Sequence, residues 1–391
     1  MIACNTGCVP QGGSADSQTV WVPATIAEFT TPEDLRGLMV IMPVSYEGKN
    51  YLFLVDSGTT SVVLDESFRR HLGTPVAEMK AAYSLPGSSS QAVKFYRCPD
   101  IFLGSFNIKR CGHVAVLDMS PFSSLYGYPI AGIIGMSVLR NFVVEINIAS
   151  GMTRILAPTI CPNIGGPISL QYDKQLHPYI LAKLPNNQEI ALIVDTGCSY
   201  DGAIAKTSLS LLPEHAVSSR PTDRVSSVIG FAGGEIVCEQ QQTVKLSELS
   251  LGELVHRQIS FNIASESSLG LGLLSCHKVT FDFPGSRMYL EGFHDPVQVS
   301  RPFISGLVLA KRDGVIVVRD VIHKGPAEDA GIRSGDIVVK IGDMETSHLD
   351  VAQAGNILRS YEPDVIMLTI QRGSHEFQAK IVLKNGFVDK Q

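Results

Sequence analysis

"FLVDSGTTSVVL" at residues 53–64 is the stretch of sequence that decides the fold. Three apolar residues lead into Asp56, and a Ser-Gly turn follows it. The buried end of a strand is an unfavourable place for a carboxylate, because burial penalises the charged form. "LIVDTGCSYDGAI" at residues 192–204 repeats this arrangement around Asp195. Both aspartates therefore call for one common explanation.

Two further pairs of segments extend the internal repeat. "FLGSFNI" near residue 102 matches "SLGELVH" near residue 250. "AGIIGMSVLRNFVVEIN" (131–147) matches "SLGLGLLSCHKVTFDFP" (268–284), which places Gly135 on Gly272. Short apolar or alternating runs separated by turn residues predict strands throughout this region.

The repeat predicts four parts of the chain. A flexible N-terminal segment (1–19) precedes a first β lobe (20–157) and a second β lobe (165–293), joined by a Pro- and Gly-containing connector. A different pattern begins at about residue 296, where strands, a short "PAEDAG" helix and a helix at about 349–360 predict a separate α+β module (300–387).

Composition narrows the class of protein. The 391 residues are 45% hydrophobic and 18% charged, with 35 Gly and 21 Pro, which favours a mainly β chain with an ample core. The net charge of −6 and the lack of a Lys/Arg run argue against a nucleic-acid partner. No apolar run reaches membrane-spanning length, so no membrane span is expected, and no signal-peptide core follows Met1.

A doubled Asp-Ser/Thr-Gly has a specific chemical use. One copy alone usually marks a turn. Two related lobes packed about a pseudo-twofold axis would instead bring Asp56 and Asp195 together, and two touching carboxylates hold one proton between them. One is then a base and the other an acid at the same pH, which suits hydrolysis by an activated water. Gly58 and Gly197 allow the tight turns, and the Ser57 and Thr196 hydroxyls would bond across to the other lobe.

The motifs resemble those of aspartic proteases of the pepsin and retroviral type. The marks are the apolar-apolar-Asp-Ser/Thr-Gly motif and a later apolar-apolar-Gly that completes a ψ-shaped loop, here twice in one chain. The resemblance implies a monomeric, bilobal β-barrel protease without a cofactor or metal. It implies a catalytic pair and a supporting set of residues: Asp56 and Asp195; Ser57, Gly58, Thr59, Thr196, Gly197, Gly135 and Gly272.

Two details qualify this resemblance. Thr59 and Cys198 stand where pepsins commonly have Ser; we interpret Cys198 as a small buried residue and not as a nucleophile. The family also has a hairpin flap over its cleft, for which the candidates are residues 83–93, including Tyr83, and residues 228–237. Both could equally be ordinary surface hairpins.

The C-terminal module resembles PDZ domains of bacterial periplasmic proteases, mainly through "GVIVVRDVIHKGPAEDAGIRSGDIVVKIGD". "ISGLVL" (304–309) is similar to their carboxylate-binding loop, so Ser305, Gly306, Leu307 and Val308 are the predicted peptide-binding residues. A peptide or protein C-terminus would add as a strand beside the 349–360 helix. The alternative is a docking domain that packs on the protease and binds nothing.

The cysteines bear on the compartment. "YRCPDIFLGSFNIKRCGHVAV" predicts a hairpin turning at Gly104-Ser105, which sets Cys98 opposite Cys111. A disulfide and two buried thiols are equal alternatives there, because Pro99 disturbs the ladder. A disulfide and the PDZ resemblance favour a bacterial periplasmic or extracellular location.

Other classes of protein fit less well. Metal catalysis lacks an H-E-x-x-H pattern, a serine hydrolase lacks a G-x-S-x-G turn, and "GLGLLS" is no dinucleotide fingerprint. We therefore predict an aspartic endopeptidase acting on peptide or protein substrates. The main alternative is a catalytically silent aspartic-protease fold that serves as a peptide-binding scaffold. A narrower one is a processing protease that acts on few partners.

Overall fold

The computed structural model describes residues 25–80, 92–160, 166–212, 217–232, 235–292, 303–322, 325–359 and 365–385. Short β-strands dominate this part of the chain, so the predicted mainly β class is confirmed.

The first lobe contains twelve strands and two short α-helices within the described residues. The strands are β1 (Thr25–Thr30), β2 (Ile41–Tyr46), β3 (Lys49–Val55), β4 (Val62–Asp65), β5 (Ala77–Lys80), β6 (Ala92–Arg97), β7 (Ile101–Leu103), β8 (Phe106–Asn107), β9 (His113–Leu117), β10 (Ile130–Ile134), β11 (Val143–Asn147) and β12 (Met152–Leu156). The helices are α1 (Ser120–Tyr126) and α2 (Met136–Leu139), with 3-10 turns at Glu33–Leu35, Glu66–His71 and Ile108–Cys111.

The second lobe follows a similar plan. Its strands are β13 (Ile168–Ser169), β14 (Gln171–Tyr172), β15 (Pro178–Lys183), β16 (Glu189–Val194), β17 (Gly202–Ala205), β18 (Val217–Ala232), β19 (Glu235–Leu251), β20 (Leu254–Ala264), β21 (Ser268–Leu269), β22 (Lys278–Asp282) and β23 (Arg287–Glu291). One α-helix, α3 (Leu271–Leu274), and a 3-10 turn at Lys206–Leu211 complete its described part.

The C-terminal module is α+β. It consists of β24 (Phe303–Ile304), β25 (Leu307–Arg312), β26 (Val315–Val321), α4 (Pro326–Asp329), β27 (Ile337–Ile341), β28 (Met344–Glu345), α5 (Val351–Arg359), β29 (Val365–Arg372), β30 (His375–Val382) and β31 (Lys384–Asn385). The main sheet runs β25-β26-β27-β29-β30, so β25 is an edge strand flanked by α5. A buried apolar cluster of its own stabilises this module.

The two lobes share a sheet and a core. A six-stranded sheet runs β1-β12-β11-β22-β23-β13, and its centre is the antiparallel pairing of β11 with β22, one strand from each lobe. One apolar cluster extends from Met42 and Phe53 in the first lobe to Phe261 and Phe281 in the second. The lobes therefore form one body around a common interior.

Each lobe builds the same crossing of strands next to its aspartate. In the first lobe β10 pairs parallel with β3 and antiparallel with β4. In the second lobe β21 pairs parallel with β16 and antiparallel with β17. The inserted strand supplies a backbone partner to the residue that follows β3 or β16, and those residues are the two aspartates.

The hairpin that carries Cys98 and Cys111 departs from its predicted course. Its turn is as predicted, because Leu103 pairs with Phe106 and Phe102 with Asn107. The ladder then ends, since a 3-10 turn at Ile108–Cys111 turns the chain away from β7. Both cysteines are free thiols, and the Cys98 thiol donates to the Pro99 carbonyl. Of the two alternatives, the structure contains the thiols.

The two flap candidates fall on paired strands. Strand β5 pairs with β6, and residues 83–91 of the first candidate, with Tyr83, lie outside the described residues. The second candidate forms the end of the long β18–β19 hairpin, in which Ala232 pairs with Glu235. Its tip, residues 233–234, also lies outside the described part.

Candidate active site

Asp56 and Asp195 occupy equivalent positions in the two lobes. Each follows the last residue of a buried strand, β3 or β16. The Asp56 N–H donates to the Ile134 carbonyl at 3.0 Å, and the Asp195 N–H donates to the Leu269 carbonyl at 2.9 Å. These bonds fix both turns against the inserted strands β10 and β21.

The two carboxyl groups face each other across the lobe interface. A Cβ built on Gly58 would lie 2.6 Å from Asp195 Oδ1, and a Cβ built on Gly197 would lie 2.6 Å from Asp56 Cγ. Each carboxyl group thus packs against the glycine of the opposite turn, at a distance that no side chain permits. The sequence repeat predicted that Asp56 and Asp195 meet, and the structure brings them together; the packing of each on the opposite glycine was not predicted.

The Ser57 and Thr196 side chains join the two turns. Ser57 Oγ donates to the Val194 carbonyl at 2.6 Å and accepts from the Thr196 N–H at 3.1 Å. Thr196 Oγ1 donates to the Val55 carbonyl at 2.8 Å and accepts from the Ser57 N–H at 3.0 Å. Both side chains are buried, so these bonds are shielded from water. They are the cross-lobe bonds expected of the two hydroxyls.

The two carboxyl groups differ in their hydrogen-bond donors. Asp56 accepts from the Gly58 N–H at 2.7 Å and from Thr59 Oγ1 at 2.7 Å. Asp195 accepts from the Gly197 N–H at 2.9 Å, and Cys198 stands where the first lobe has the Thr59 hydroxyl. A hydroxyl donor favours the charged form of a carboxyl group. The dyad is therefore asymmetric in its hydroxyl donors: Asp56 has one within its turn, and the matching position beside Asp195 holds a thiol.

Burial reinforces this asymmetry. Burial, followed by the charge of Asp56, raises the pKa of Asp195 to about 8. Burial also raises the pKa of the Cys198 thiol, with the Asp195 carboxyl raising it further. Cys198 is half-buried, and its raised thiol pKa agrees with the interpretation that it is not a nucleophile.

The predicted alignment of one supporting glycine is wrong. The sequence repeat placed Gly135 on Gly272, but the hydrogen bonds place it on Gly270. Gly135 and Gly270 precede α2 and α3, and the residues after them, Met136 and Leu271, donate to the Thr59 and Cys198 carbonyls at 2.8 and 2.7 Å. Gly272 lies in the first turn of α3 instead.

The tight approach explains why a glycine is needed there. A Cβ on Gly270 would lie 2.3 Å from the Tyr200 carbonyl oxygen, and one on Gly135 would lie 2.4 Å from the Thr59 carbonyl oxygen. The sequence "GLG" at 270–272 allowed two alignments, and only the backbone pairing separates them.

A contact near Thr60 was missed by sequence reasoning. Thr60 Oγ1 donates to the Gln175 carbonyl at 2.9 Å and lies 3.3 Å from His177 Nε2. The other ring nitrogen of His177 lies 2.9 Å from Asp173 Oδ2. This contact adds a second polar link between the lobes, four residues after Asp56. No motif marks it in the sequence.

The predicted PDZ residues are buried. Leu307 and Val308 begin β25, and Ser305, Gly306, Leu307 and Val308 are all buried. Ser305 Oγ accepts from the Leu307 N–H at 3.2 Å. The structure therefore places these residues together at the sheet edge. The Leu307 N–H is already bonded to Ser305 within the loop.

Sequence families support the two kinds of domain. Residues 42–138 match the family described as "Aspartyl protease", and residues 317–372 match the family described as "PDZ domain". Residues 42–138 are therefore similar to aspartyl protease domains and residues 317–372 to PDZ domains, and the predicted resemblance is confirmed.

Individual relatives cover only parts of the chain. A "Probable CtpA-like serine protease" of Staphylococcus haemolyticus is 33% identical over 84 residues, which is 21% of this chain and 17% of that protein. The "26S proteasome non-ATPase regulatory subunit 9" of Drosophila melanogaster is 30% identical over 78 residues, 19% of this chain and 36% of that protein. A crystal structure of a retropepsin-like aspartic protease from Rickettsia conorii is 23% identical, with a TM-score of 0.23, and covers 32% of this chain and 91% of that one. The chain thus spans well under half the length of the two curated relatives.

Proposed function

We propose that this protein is an aspartic endopeptidase that hydrolyses peptide bonds through Asp56 and Asp195. The observation that carries the proposal is the reciprocal packing of each carboxyl group against the glycine of the opposite turn. The aspartyl protease match of residues 42–138 supports it. Two carboxyl groups in direct contact bind one proton between them over a wide pH range.

Each aspartate has its own part in the reaction. Asp56, which receives two hydrogen bonds within its own turn, is the base that takes a proton from a water bound between the carboxyl groups. Asp195, whose pKa burial raises to about 8, carries the proton and donates it to the carbonyl oxygen of the substrate. The water oxygen adds directly to the carbonyl carbon, so no covalent enzyme intermediate forms. The carbon–nitrogen bond of the resulting tetrahedral intermediate then breaks: Asp56 gives the proton it took from water to the leaving nitrogen, and Asp195 takes a proton back from a hydroxyl of the intermediate.

The supporting residues keep the two carboxyl groups in register. Ser57 and Thr196 hold the turns together, and Gly58 and Gly197 leave the space that the opposite carboxyl group fills. Pre-organised geometry of this kind lowers the barrier because reacting groups need not be brought together at each turnover.

The PDZ domain and the location are secondary parts of the proposal. PDZ domains bind peptides, so this domain would recruit a substrate or regulator by its C-terminus. We place the protein in the periplasm or outside the cell of a bacterium. Within the described residues, no helix is long and apolar enough to cross a membrane.

The test is cleavage of a mixed peptide library by the intact chain from pH 3 to 8, with products identified by mass spectrometry. Asp195→Asn should abolish cleavage, and Asp100→Asn, which alters an exposed ion pair with Lys109, is the matched control. A chain that cuts nothing, or an Asp195→Asn variant that cuts as the control does, would favour the silent peptide-binding scaffold.

A further inference from the structure

The peptide-binding groove of the PDZ domain is occupied by α1 of the first lobe. A PDZ ligand adds as a strand between the edge strand and the neighbouring helix, here β25 and α5. Helix α1 packs against both elements. The Leu309 N–H, in the middle of β25, donates to Ser124 Oγ at 2.8 Å in a buried bond. A backbone donor that a ligand strand would use is therefore already bonded.

Glycines allow α1 and α5 to touch. A Cβ built on Gly355 in α5 would lie 2.0 Å from the Ser124 carbonyl oxygen. A Cβ built on Gly127, at the end of α1, would lie 2.7 Å from Asn356 Cα. The two helices thus meet through main-chain atoms. While α1 lies there, no room remains for a peptide strand between β25 and α5.

Charged side chains fix both ends of α1. At its start, Arg319 donates to Asp118 at 2.6 Å, and Asp118 accepts from the Ser120 N–H at 2.9 Å. At its end, Arg359 donates to the Tyr126 carbonyl and to Asp34. Arg319 and Arg359 both belong to the C-terminal module, and only 19% and 10% of their side-chain surfaces are exposed. The arginine of each pair is therefore largely shielded from solvent, while its partner, Asp118 or Asp34, stays 36% or 48% exposed.

The opposite side of α1 connects to the dyad. Ser123 Oγ accepts from the Ile130 N–H at 3.0 Å at the start of β10, and the end of β10 is Ile134, whose carbonyl binds the Asp56 N–H. The Tyr126 and Phe122 rings stack at 6.3 Å. Burial raises the pKa of Tyr126 to about 12, with Arg359 lowering it.

We propose that α1 is the internal occupant of the PDZ groove and that a peptide C-terminus competes with it, so that peptide binding is coupled to the cleft. The dyad is assembled while α1 is docked, so a bound peptide releases α1 and lowers cleavage. This effect on cleavage rests on the proposed protease function, whereas the competition for the groove does not. Because the two compete for one groove, a change that weakens the docking of α1 also strengthens peptide binding by the same factor.

Gly355→Ala separates docking from the stability of the PDZ domain. Alanine favours a helix over glycine, so α5 itself should gain stability, while the added methyl group pushes α1 away. The readout is hydrogen exchange of the intact chain, measured by mass spectrometry over residues 118–128. Exchange there should rise at least tenfold, with α5 no less protected. Gln353→Ala is the control, because Gln353 is exposed on the same helix and bonds Asp350.

A second variant covers the case in which the two helices accommodate the added methyl group without separating. Arg359→Ala removes the bonds to Tyr126 and Asp34, and its control Arg312→Ala removes an exposed charge from β25. If exchange over residues 118–128 rises in neither Gly355→Ala nor Arg359→Ala, the docked helix is not held by this contact and the proposal is wrong.

The ligand arm uses a defined probe. It is a pool of decapeptides with free carboxylates ending in Val, Leu, Ile, Phe or Ala, compared with the same pool amidated. The free pool should speed exchange over residues 118–128 and bind Asp118→Ala, which removes the ion pair with Arg319 from the lobe side, about 5- to 150-fold more tightly than the unmodified chain. Equal effects of the amidated pool, or equal affinity of the two chains, would overturn the competition.

The cleavage arm is scored separately. The free-carboxylate pool and Gly355→Ala should both reduce cleavage of a library peptide by about 5- to 150-fold. Unchanged cleavage with altered exchange would overturn the coupling. Cleavage that survives Asp195→Asn would instead refute the proposed catalytic dyad and leave the exchange result standing.

Discussion

Replacing Ser57 by alanine should weaken the contact between the two lobes at the dyad. The hydroxyl makes two buried bonds, to the Val194 carbonyl and from the Thr196 N–H. Alanine leaves both backbone groups without a partner in an interior that excludes water. An unpaired buried polar group costs about 1–3 kcal/mol, so the two together should cost about 2–6 kcal/mol. Because a domain is typically stable by only about 5–15 kcal/mol, this loss is large.

Native-state hydrogen exchange is the suitable assay. The C-terminal module has its own core, so one unfolding curve for the whole chain would mix separate transitions. Exchange reports local free energies of opening, here for segments 49–64 and 189–200, which contain the two turns. The expected result is a loss of about 2–6 kcal/mol in both segments at once, since the bonds cross between them.

A matched serine controls for the substitution itself. Ser137 lies in α2, and its Oγ is buried without a hydrogen-bond partner among the described residues. Ser137→Ala should therefore change the opening free energy by no more than about 0.5 kcal/mol. If Ser57→Ala and Ser137→Ala behave alike, the Ser57 hydroxyl does not hold the lobes together and the account of the interface is wrong.

Three further predictions concern the dyad itself. Gly197→Ala should abolish cleavage, because its methyl group would lie 2.6 Å from Asp56 Cγ. Circular dichroism and peptide mapping should show that the PDZ domain stays folded. Residual activity near that of the parent would contradict this packing. Thr59→Ala should lower kcat about tenfold by removing a donor to Asp56, and Thr59→Ser should restore it, whereas equal loss in both variants would show that the hydroxyl is not what matters. The pKa of Asp195 is raised to about 8, so its proton favours the folded state; stability should be greatest below the ordinary value of 3.8 and fall as the pH rises from there to about 8. Native-state hydrogen exchange of segments 49–64 and 189–200 across this range would show that fall, and Asp195→Asn should remove it.

The dyad was predictable because it breaks a local rule twice. A charged residue at the end of an apolar strand is unfavourable alone, and two copies in a repeated chain indicate a common site. The hairpin turn at Gly104 and the helix near 349–360, observed as Val351–Arg359, were also predictable. Each depends on residues close together in the sequence.

The features that the sequence did not predict depend on distant contacts. The choice of Gly270 over Gly272 is made by hydrogen bonds from another strand, and no local pattern separates the two glycines. The Leu309–Ser124 bond joins residues 185 positions apart, and Ser124 lies in a short helix without a motif. The 3-10 turn at Ile108–Cys111 overrode a hairpin whose register was otherwise right.

The most direct test of the central claim compares Asp56→Asn and Asp195→Asn with the double variant in cleavage of one library peptide. Residues that act as a unit are grossly non-additive in their effects on rate. The account predicts that each single variant loses essentially all dyad-dependent cleavage and that the double variant is no slower than either. A single variant that keeps most of the activity, or two partial losses that multiply in the double variant, would contradict a shared catalytic dyad.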